Sequence, residues 1–527
     1  GDAPKPTAKD VVYELSGESL MPGMVQCHYH VAYANVADMN DIDMRYPPTE
    51  LALIAAKNAE LLLSCGYTGA AGAGTMHNID VTLKKCIDRG LIPGPRFLAS
   101  GRDVVTTGDS VDCHPNFWKM QMDGLARICD GPDDFRKAVR EEIKLGVDII
   151  KLYPTGGHGL MWDEDVMTMS QDEIDAATNA AHDRGKKIRG HIISKKGVLA
   201  ALQAGMDVID HADRMDDECI DGMLKQGTFV TPSLYFPWKV VEEKRRTGSS
   251  GWGGVDAMER NLEHAHKVLP KANQAGVKLL IGDDFGIASM PHGEYACELE
   301  AYVKGAGIPA IDVLRWATKN GAELLGMGDE LGTIEPGKIA DLLIVKGNPA
   351  KDITLLQNRE NLHAIMKDGE PIILIECKAA GADLEAEAHT WQLAKYFTWA
   401  KSARFGILTN GVSYRFYSDL EALNLMDARP FLEFSLLEAD ESAVAELEKF
   451  TRSNFDLDGI LSTASDLMYT REIKKVFAEE HREPTDEFTR HFARKVLPSN
   501  RQITQRVLGE FKAHTRRAFQ DYINDRI

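Results

Sequence analysis

From residue 24 onward, short apolar runs alternate with amphipathic helical runs, and that alternation restricts this chain more than any other feature. The runs fall near 24 to 30, 67 to 72, 96 to 101, 147 to 153, 187 to 192, 207 to 211, 228 to 232 and 277 to 283. Strands separated by helices pair in parallel, because each helix carries the chain back along the sheet before the next strand begins. Eight such units make a TIM (β/α)8 barrel, a fold that keeps its chemistry at the carboxyl ends of the strands. Among the helices, TELALIAAKNAELLLSCG has apolar positions three and four apart and is expected to stop at Gly66.

Chemically able residues close or follow these runs. They are His28 and His30 in GMVQCHYHVAY, Lys151 in VDIIKLYPTGG, His191 in KIRGHIISKKG, His211 in DVIDHADRMD and Asp284 in LLIGDDFG. Side chains two apart on a strand point the same way, so His28 and His30 can hold one ion while Tyr29 faces the barrel wall. Neutral imidazoles suit a divalent first-row ion, and mixed nitrogen and oxygen ligation favours zinc while leaving manganese, cobalt and iron open. Singly, each residue has an ordinary reading: a core histidine, a snorkelling strand-end lysine, a capping aspartate. Their joint appearance in barrel order favours a metal centre.

This ordered set resembles the amidohydrolase superfamily, over roughly residues 1 to 370. The resemblance implies a His-x-His pair on the first strand (His28, His30), a carboxylated lysine on the fourth (Lys151), histidines on the fifth and sixth (His191, His211) and an aspartate on the eighth (Asp284). It implies two divalent ions, with the Lys151 carbamate bridging them. Burial against VDII would help the carbamate form, since a low-dielectric setting disfavours the protonated amine. The implied reaction is hydrolysis of a carbon–nitrogen amide-type bond in an amide, carbamate, urea or dipeptide. A metal-bound hydroxide would attack, and Asp284 would carry the proton to the leaving nitrogen. The loop wording is similar to imidazolonepropionase-like members.

Loops after the strands supply the expected substrate contacts: Tyr153 and His158 in KLYPTGGHG, His114 in DCHPNFW, and Tyr235 with Trp238 in SLYFPW. Arg102 and Arg189 are the cationic residues available to a substrate carboxylate. The flanks 1–23 and 331–370 are expected to form a small β-sandwich beside a 24–330 barrel. The leading segment is short for that role, so the sandwich reads as truncated and its sheet edge as exposed.

Past residue 370 the character changes. The Glu376-Cys377-Lys378 strand motif, the segment from Gln392 to Tyr396 and the LTNGVSYRFY hairpin resemble the nuclease-like domain at the start of type I restriction enzyme motor subunits. The resemblance implies a C-terminal α/β PD-(D/E)xK-like domain over 371–527, joined to the hydrolase as in a fused reading frame. That family adds an aspartate from the preceding strand to hold magnesium. Here Leu362 and His363 stand near the expected place and Asp368 falls in the turn, so Glu376, Lys378 and Gln392 are expected to form a degenerate site.

Composition narrows the rest. A formal charge of −19 over 527 residues argues against general nucleic-acid affinity, although the stretch from Arg490 is locally basic. The eight cysteines show no CxxC pair and read as free thiols of a reducing cytosol. No apolar stretch is of membrane-spanning length, and GDAPKPTAKD is not a signal peptide. The expectation is a cytoplasmic enzyme with a small-molecule substrate, a homo-oligomer being open. The competing readings are a nucleic-acid component of a restriction system, carried by Glu376 and Lys378, and a noncatalytic assembly protein.

Overall fold

The computed structural model describes residues 16–37, 40–112, 124–158, 162–248 and 254–371, and parts of 375–525. The chain divides into two compact units, a larger one of Tyr13–Ile372 and a smaller one that holds Ile373–Ile527 together with Gly1–Val12.

In the larger unit, Met24–Tyr29, Tyr67–Gly72 and Arg96–Leu98 form one parallel sheet. A seven-stranded parallel sheet contains Asp103–Val105, Ala126–Ile128, Ile149–Leu152, Lys187–Ile192, Val208–His211, Phe229–Thr231 and Lys278–Leu279. Backbone hydrogen bonds join the two sheets at both seams. Cys27 N donates to Ile281 O at 3.0 Å, and Asp148 N donates to Ala99 O at 2.7 Å. This closed parallel arrangement, with helices between the strands, is consistent with a TIM-like barrel.

Each of the eight expected runs contains one strand, but the run at 96 to 101 breaks after Leu98 and a further strand begins at Asp103. The physical cause is Asp80. Its buried Oδ2 accepts from Ser100 N at 2.6 Å and Gly101 N at 3.0 Å, so those amides are turned from ladder positions to a side chain. The run at 277 to 283 is cut short similarly, at Leu279. Gly282 then adopts φ +149°, and a Cβ there would lie 2.3 Å from His28 N. Only glycine lets the end of the eighth strand approach the first this closely, which brings Asp284 beside His28.

Helix ends are set by short polar side chains. Ser170 and Glu173 form a reciprocal capping box before Gln171–His182, and Asp216 accepts from Cys219 N before Asp217–Gln226. The helix Pro48–Ser64 stops just before Gly66, as its sequence predicts. One continuous core of buried side chains runs through barrel and helices.

Glu18–Pro22, Leu342–Lys346, Leu362–Lys367 and Glu370–Pro371 form a four-stranded antiparallel sheet. Leu343 and Val345 join this sheet to the barrel core. Asp368 occupies the turn between the last two strands, where its carboxylate pairs with Arg96 and its amide donates to Asp341 at 2.9 Å. The strand carrying Leu362 and His363 therefore belongs to the larger unit.

In the second unit, Ile375–Cys377 pairs parallel with Phe405–Thr409, which pairs antiparallel with Ser413–Ser418; Leu432–Ser435 completes the sheet. Leu384, Leu393, Leu408 and Tyr417 form its core. Helices Asp486–Val496 and Gln505–Asn524 are capped by Thr485 and Thr504 and joined by a 2.7 Å Lys512–Asp486 ion pair.

Candidate metal centre

The first, fourth, fifth and sixth barrel strands each deliver a histidine or lysine at or near their carboxyl ends. His28, His30, Lys151, His191 and His211 are all at most 5% exposed. The Asp284 side chain, at 25%, is the open member of the set. Four of the six expected ligands converge closely. His28 Nε2 lies 3.0 Å and His30 Nε2 3.3 Å from Asp284 Oδ1, with 3.2 Å between the two nitrogens. Ligand atoms about 2.0–2.1 Å from a tetrahedral ion stand about 3.3 Å apart, so this spacing already suits a shared cation. His211 joins them, with ligand atoms of His28, His211 and Asp284 all within 4.8 Å of one another. His191 packs against His211, ring centroids 4.5 Å apart.

Hydrogen bonding points the same way. Both ring nitrogens of His211 and Nε2 of His191 are buried without a partner. An unsatisfied buried polar atom costs about 1–3 kcal/mol, so three at one place call for a ligand. Burial lowers His30 to about 4 and holds His191 and His211 well below the ordinary histidine range. Neutral imidazoles with unused lone pairs are what a divalent ion needs. Burial alone would raise Asp284, but His28 and His30 hold its carboxyl well below the usual range as an anion. The donor set fits a metal centre.

Lys151 is brought to the floor of this set by a different contact. Its Nζ donates to Asp210 Oδ2 at 2.7 Å, so the unmodified ammonium is ion-paired. Asp210 also accepts from both Nε (2.9 Å) and Nη2 of Arg189 and lies 3.4 Å from His28 Nδ1. Arg189 spends Nη1 on the carbonyls of Cys27 and Gly72, at 2.8 Å each. This corrects the expectation that Arg189 could meet a substrate carboxylate: it is fully buried and ties strands together. Arg102 is likewise engaged, bonding Glu142 Oε1 through Nε at 2.9 Å and Nη2 at 2.7 Å.

Asp283 steadies the loop that carries Asp284. Its Oδ2 accepts from Tyr235 N at 2.7 Å, and its Oδ1 accepts from Asp284 N at 2.8 Å. The Tyr235 ring packs on Phe285 at 5.8 Å and Trp238 at 5.7 Å. Tyr153 stacks on His191 at 5.0 Å, and His158 lies 4.3 Å from His211, so both flank the candidate ligands. His114, Lys378 and Gln392 lie outside the described residues; Glu376 is on the strand Ile375–Cys377.

Behind the first and eighth strands, Glu298 accepts from Gly282 N at 2.8 Å and Gln26 Nε2 at 3.3 Å, with Tyr302 donating at 3.4 Å. Burial raises it from its ordinary 4.5 to about 8. The folded state thus keeps a proton that the unfolded chain loses near pH 4.5, and this group's contribution to stability falls as pH rises through that window. Urea unfolding should show Glu298→Gln gaining on the native protein by a few kcal/mol between pH 5 and pH 8. A pH-independent difference would contradict the assignment.

With this geometry, the comparison with known proteins is direct. The model of the amidohydrolase family matches residues 19–372, and the chain belongs to that family. A second model, the type I restriction enzyme R protein N terminus, matches residues 346–425. The chain is 27% identical to ochratoxinase of Aspergillus niger over 379 residues, 67% of this chain and 75% of that protein. It is 27% identical over 197 residues to imidazolonepropionase of Sphingopyxis alaskensis, 36% of this chain and 43% of that protein. A solved structure of a Xaa-Pro dipeptidase with bound methionine in the active site superposes with a TM-score of 0.59 at 29% identity. It covers 68% of this chain and 87% of the dipeptidase. Among the described residues, no helix is long and apolar enough to cross a membrane.

The sequence reading missed Asp210, Asp213 and Asp283. Each was legible in principle as an acid inside or beside an apolar run, in DVIDHAD and LLIGDD, where burial requires a partner.

Proposed function

We propose that this chain is a binuclear metal-dependent hydrolase of small molecules carrying an amide-type carbon–nitrogen bond. The observation that carries this reading is the meeting of unpartnered His191 and His211 nitrogens with the His28–His30–Asp284 cluster. His28, His30 and Asp284 would hold one divalent ion, His191 and His211 the second, and a carboxylated Lys151 both; zinc suits the donors. Such ions acidify a water molecule and polarise the scissile carbonyl. Asp284 takes a proton at its carboxylate and passes it to the leaving nitrogen, and Asp283 holds that carboxylate in register. Arg189 offsets the charge of Asp210 beneath Lys151, which supports an anionic carbamate at that depth.

Tyr153 and His158 form the substrate wall in this reading, with Tyr235 behind them. The Xaa-Pro dipeptidase, by its name, acts on dipeptides, which favours peptide and amide bonds over the imidazolone ring. Metal-replete protein should hydrolyse at least one member of a panel of dipeptides, N-acyl amino acids, carbamates and phenylureas. Failure on the whole panel would contradict the proposal.

For residues 373–527 we propose a folded domain without nuclease activity. The candidate partner of Glu376, Asp368, is engaged with Arg96 and Asp341 in the other unit. Magnesium prefers several oxygen ligands, and one glutamate holds it weakly. Purified protein with magnesium or manganese should leave linear and circular DNA intact. Cleavage that vanishes in Glu376→Ala would overturn this.

A further inference from the structure

Glu298 sits where the ends of the first and eighth strands meet, on the side away from the metal site. It lies on the short helix Cys297–Glu300 and is fully buried, as are Gln26, Ser233 and Tyr302. Its two carboxyl oxygens serve different strands. Oε2 accepts from Gly282 N at 2.8 Å, two residues before Asp284, and Oε1 accepts from Gln26 Nε2 at 3.3 Å, two residues before His28. Gln26 Oε1 in turn accepts from His28 N at 3.4 Å, so hydrogen bonds run from Glu298 to the backbone of a candidate ligand. A third arm holds the loop after the seventh strand. Tyr302 donates to Glu298 Oε2 at 3.4 Å and accepts from Ser233 N at 3.1 Å, while Ser233 Oγ donates to Gly282 O at 2.8 Å.

Packing alone does not call for a carboxyl group here. Burying one costs the folded state stability, and an apolar side chain of similar size would cost less. What the carboxyl group supplies is two acceptors on one rigid fork, directed at two strand ends that come unusually close. A Cβ on Gly282 would lie 2.3 Å from His28 N and 2.7 Å from Gln26 Oε1. Beyond this junction His28 Nε2 and Asp284 Oδ1 stand 3.0 Å apart, a spacing that suits a shared ion. His191 and His211 come from the strands Lys187–Ile192 and Val208–His211, which none of these hydrogen bonds touches.

We propose that Glu298 is a positioning residue of the metal centre: by joining Gln26 to the Gly282 amide it sets the spacing of His28 and Asp284, and with it the affinity for the ion they share. This rests on the binuclear reading above. Ligands must be held within about 0.5 Å of their places, so loosening this junction weakens one ion and spares the other.

The test uses full-length protein stripped of metal and titrated with cobalt(II), whose visible absorption reports the ligand geometry of each ion. The step lost in Asp284→Ala marks the ion held by His28, His30 and Asp284. Glu298→Leu should weaken that step by roughly tenfold or more, the scale for losing a partner that orients ligands, and shift its absorption. The other step should keep its native affinity. Glu298→Gln, which retains an acceptor for Gly282 N and can still bond Gln26, should recover most of the loss, and Gln26→Leu, which cuts only the arm to the first strand, should fall between. Native affinity and absorption at both steps in Glu298→Leu would overturn the inference. Equal weakening of both steps, together with a less stable metal-free protein in urea, would also overturn it, because Glu298 would then serve the fold as a whole. If the native protein binds no cobalt, the metal reading itself fails, a result distinct from a defect confined to the variants. If Glu298→Leu does not fold, Gln26→Leu decides: selective weakening of the marked step supports the inference, and native binding at both overturns it.

Discussion

Asp284→Asn should lower kcat by roughly a hundredfold or more while leaving the fold and the substrate's KM nearly unchanged, the usual scale for loss of a general acid or base. The asparagine keeps the shape of the side chain and can still accept from Asp284's neighbours. It cannot take a proton and return it. In the native protein His28 Nε2 and His30 Nε2, at 3.0 and 3.3 Å, hold the Asp284 carboxylate as an anion poised for that transfer. The side chain is also the partly exposed member of the cluster, so a substrate can reach it. Steady-state kinetics on any hydrolysed panel substrate give the answer; near-native turnover would remove Asp284 from the mechanism.

Lys151→Ala should abolish most activity and reduce bound metal below two ions per chain. Its Nζ lies at the base of the site, where carboxylation would convert a cation into a bridging anion. Alanine would remove the proposed bridge and leave Asp210 with Arg189 and His28. A short carboxylic acid such as formate or acetate can enter the space left behind and stand in for the carbamate, so activity should return in part as its concentration rises. The readouts are elemental analysis and turnover against added acid. A variant that keeps two ions and full turnover would show that Lys151 acts only through its ion pair with Asp210.

The barrel was legible because its strands are buried on both faces and therefore largely apolar, as in VDII, DVID and KLLIG. Strand ends were less so. The break after Leu98 depends on Asp80, distant in sequence, whose carboxylate captures two backbone amides. The order along the chain pointed to the residues of the candidate group His28, His211 and Asp284, whereas the engagement of Arg189 and Arg102 could not be read: an arginine's partner is a property of tertiary packing. The strand Leu362–Lys367 was ambiguous because a family ending and a family beginning share similar apolar wording. Its antiparallel register with Leu342–Lys346 settles which sheet holds it.

The central claim is that these side chains bind divalent ions in order to cleave a carbon–nitrogen bond. Its most direct test is to strip the purified protein with a chelator, return zinc in measured steps with bicarbonate present, and follow hydrolysis of a dipeptide and an N-acyl amino acid at each step. The account predicts no hydrolysis in the stripped protein and activity that climbs with zinc to a plateau near two ions per chain. Hydrolysis that survives complete metal removal, or a fully loaded protein that cleaves no amide-type bond, would contradict it.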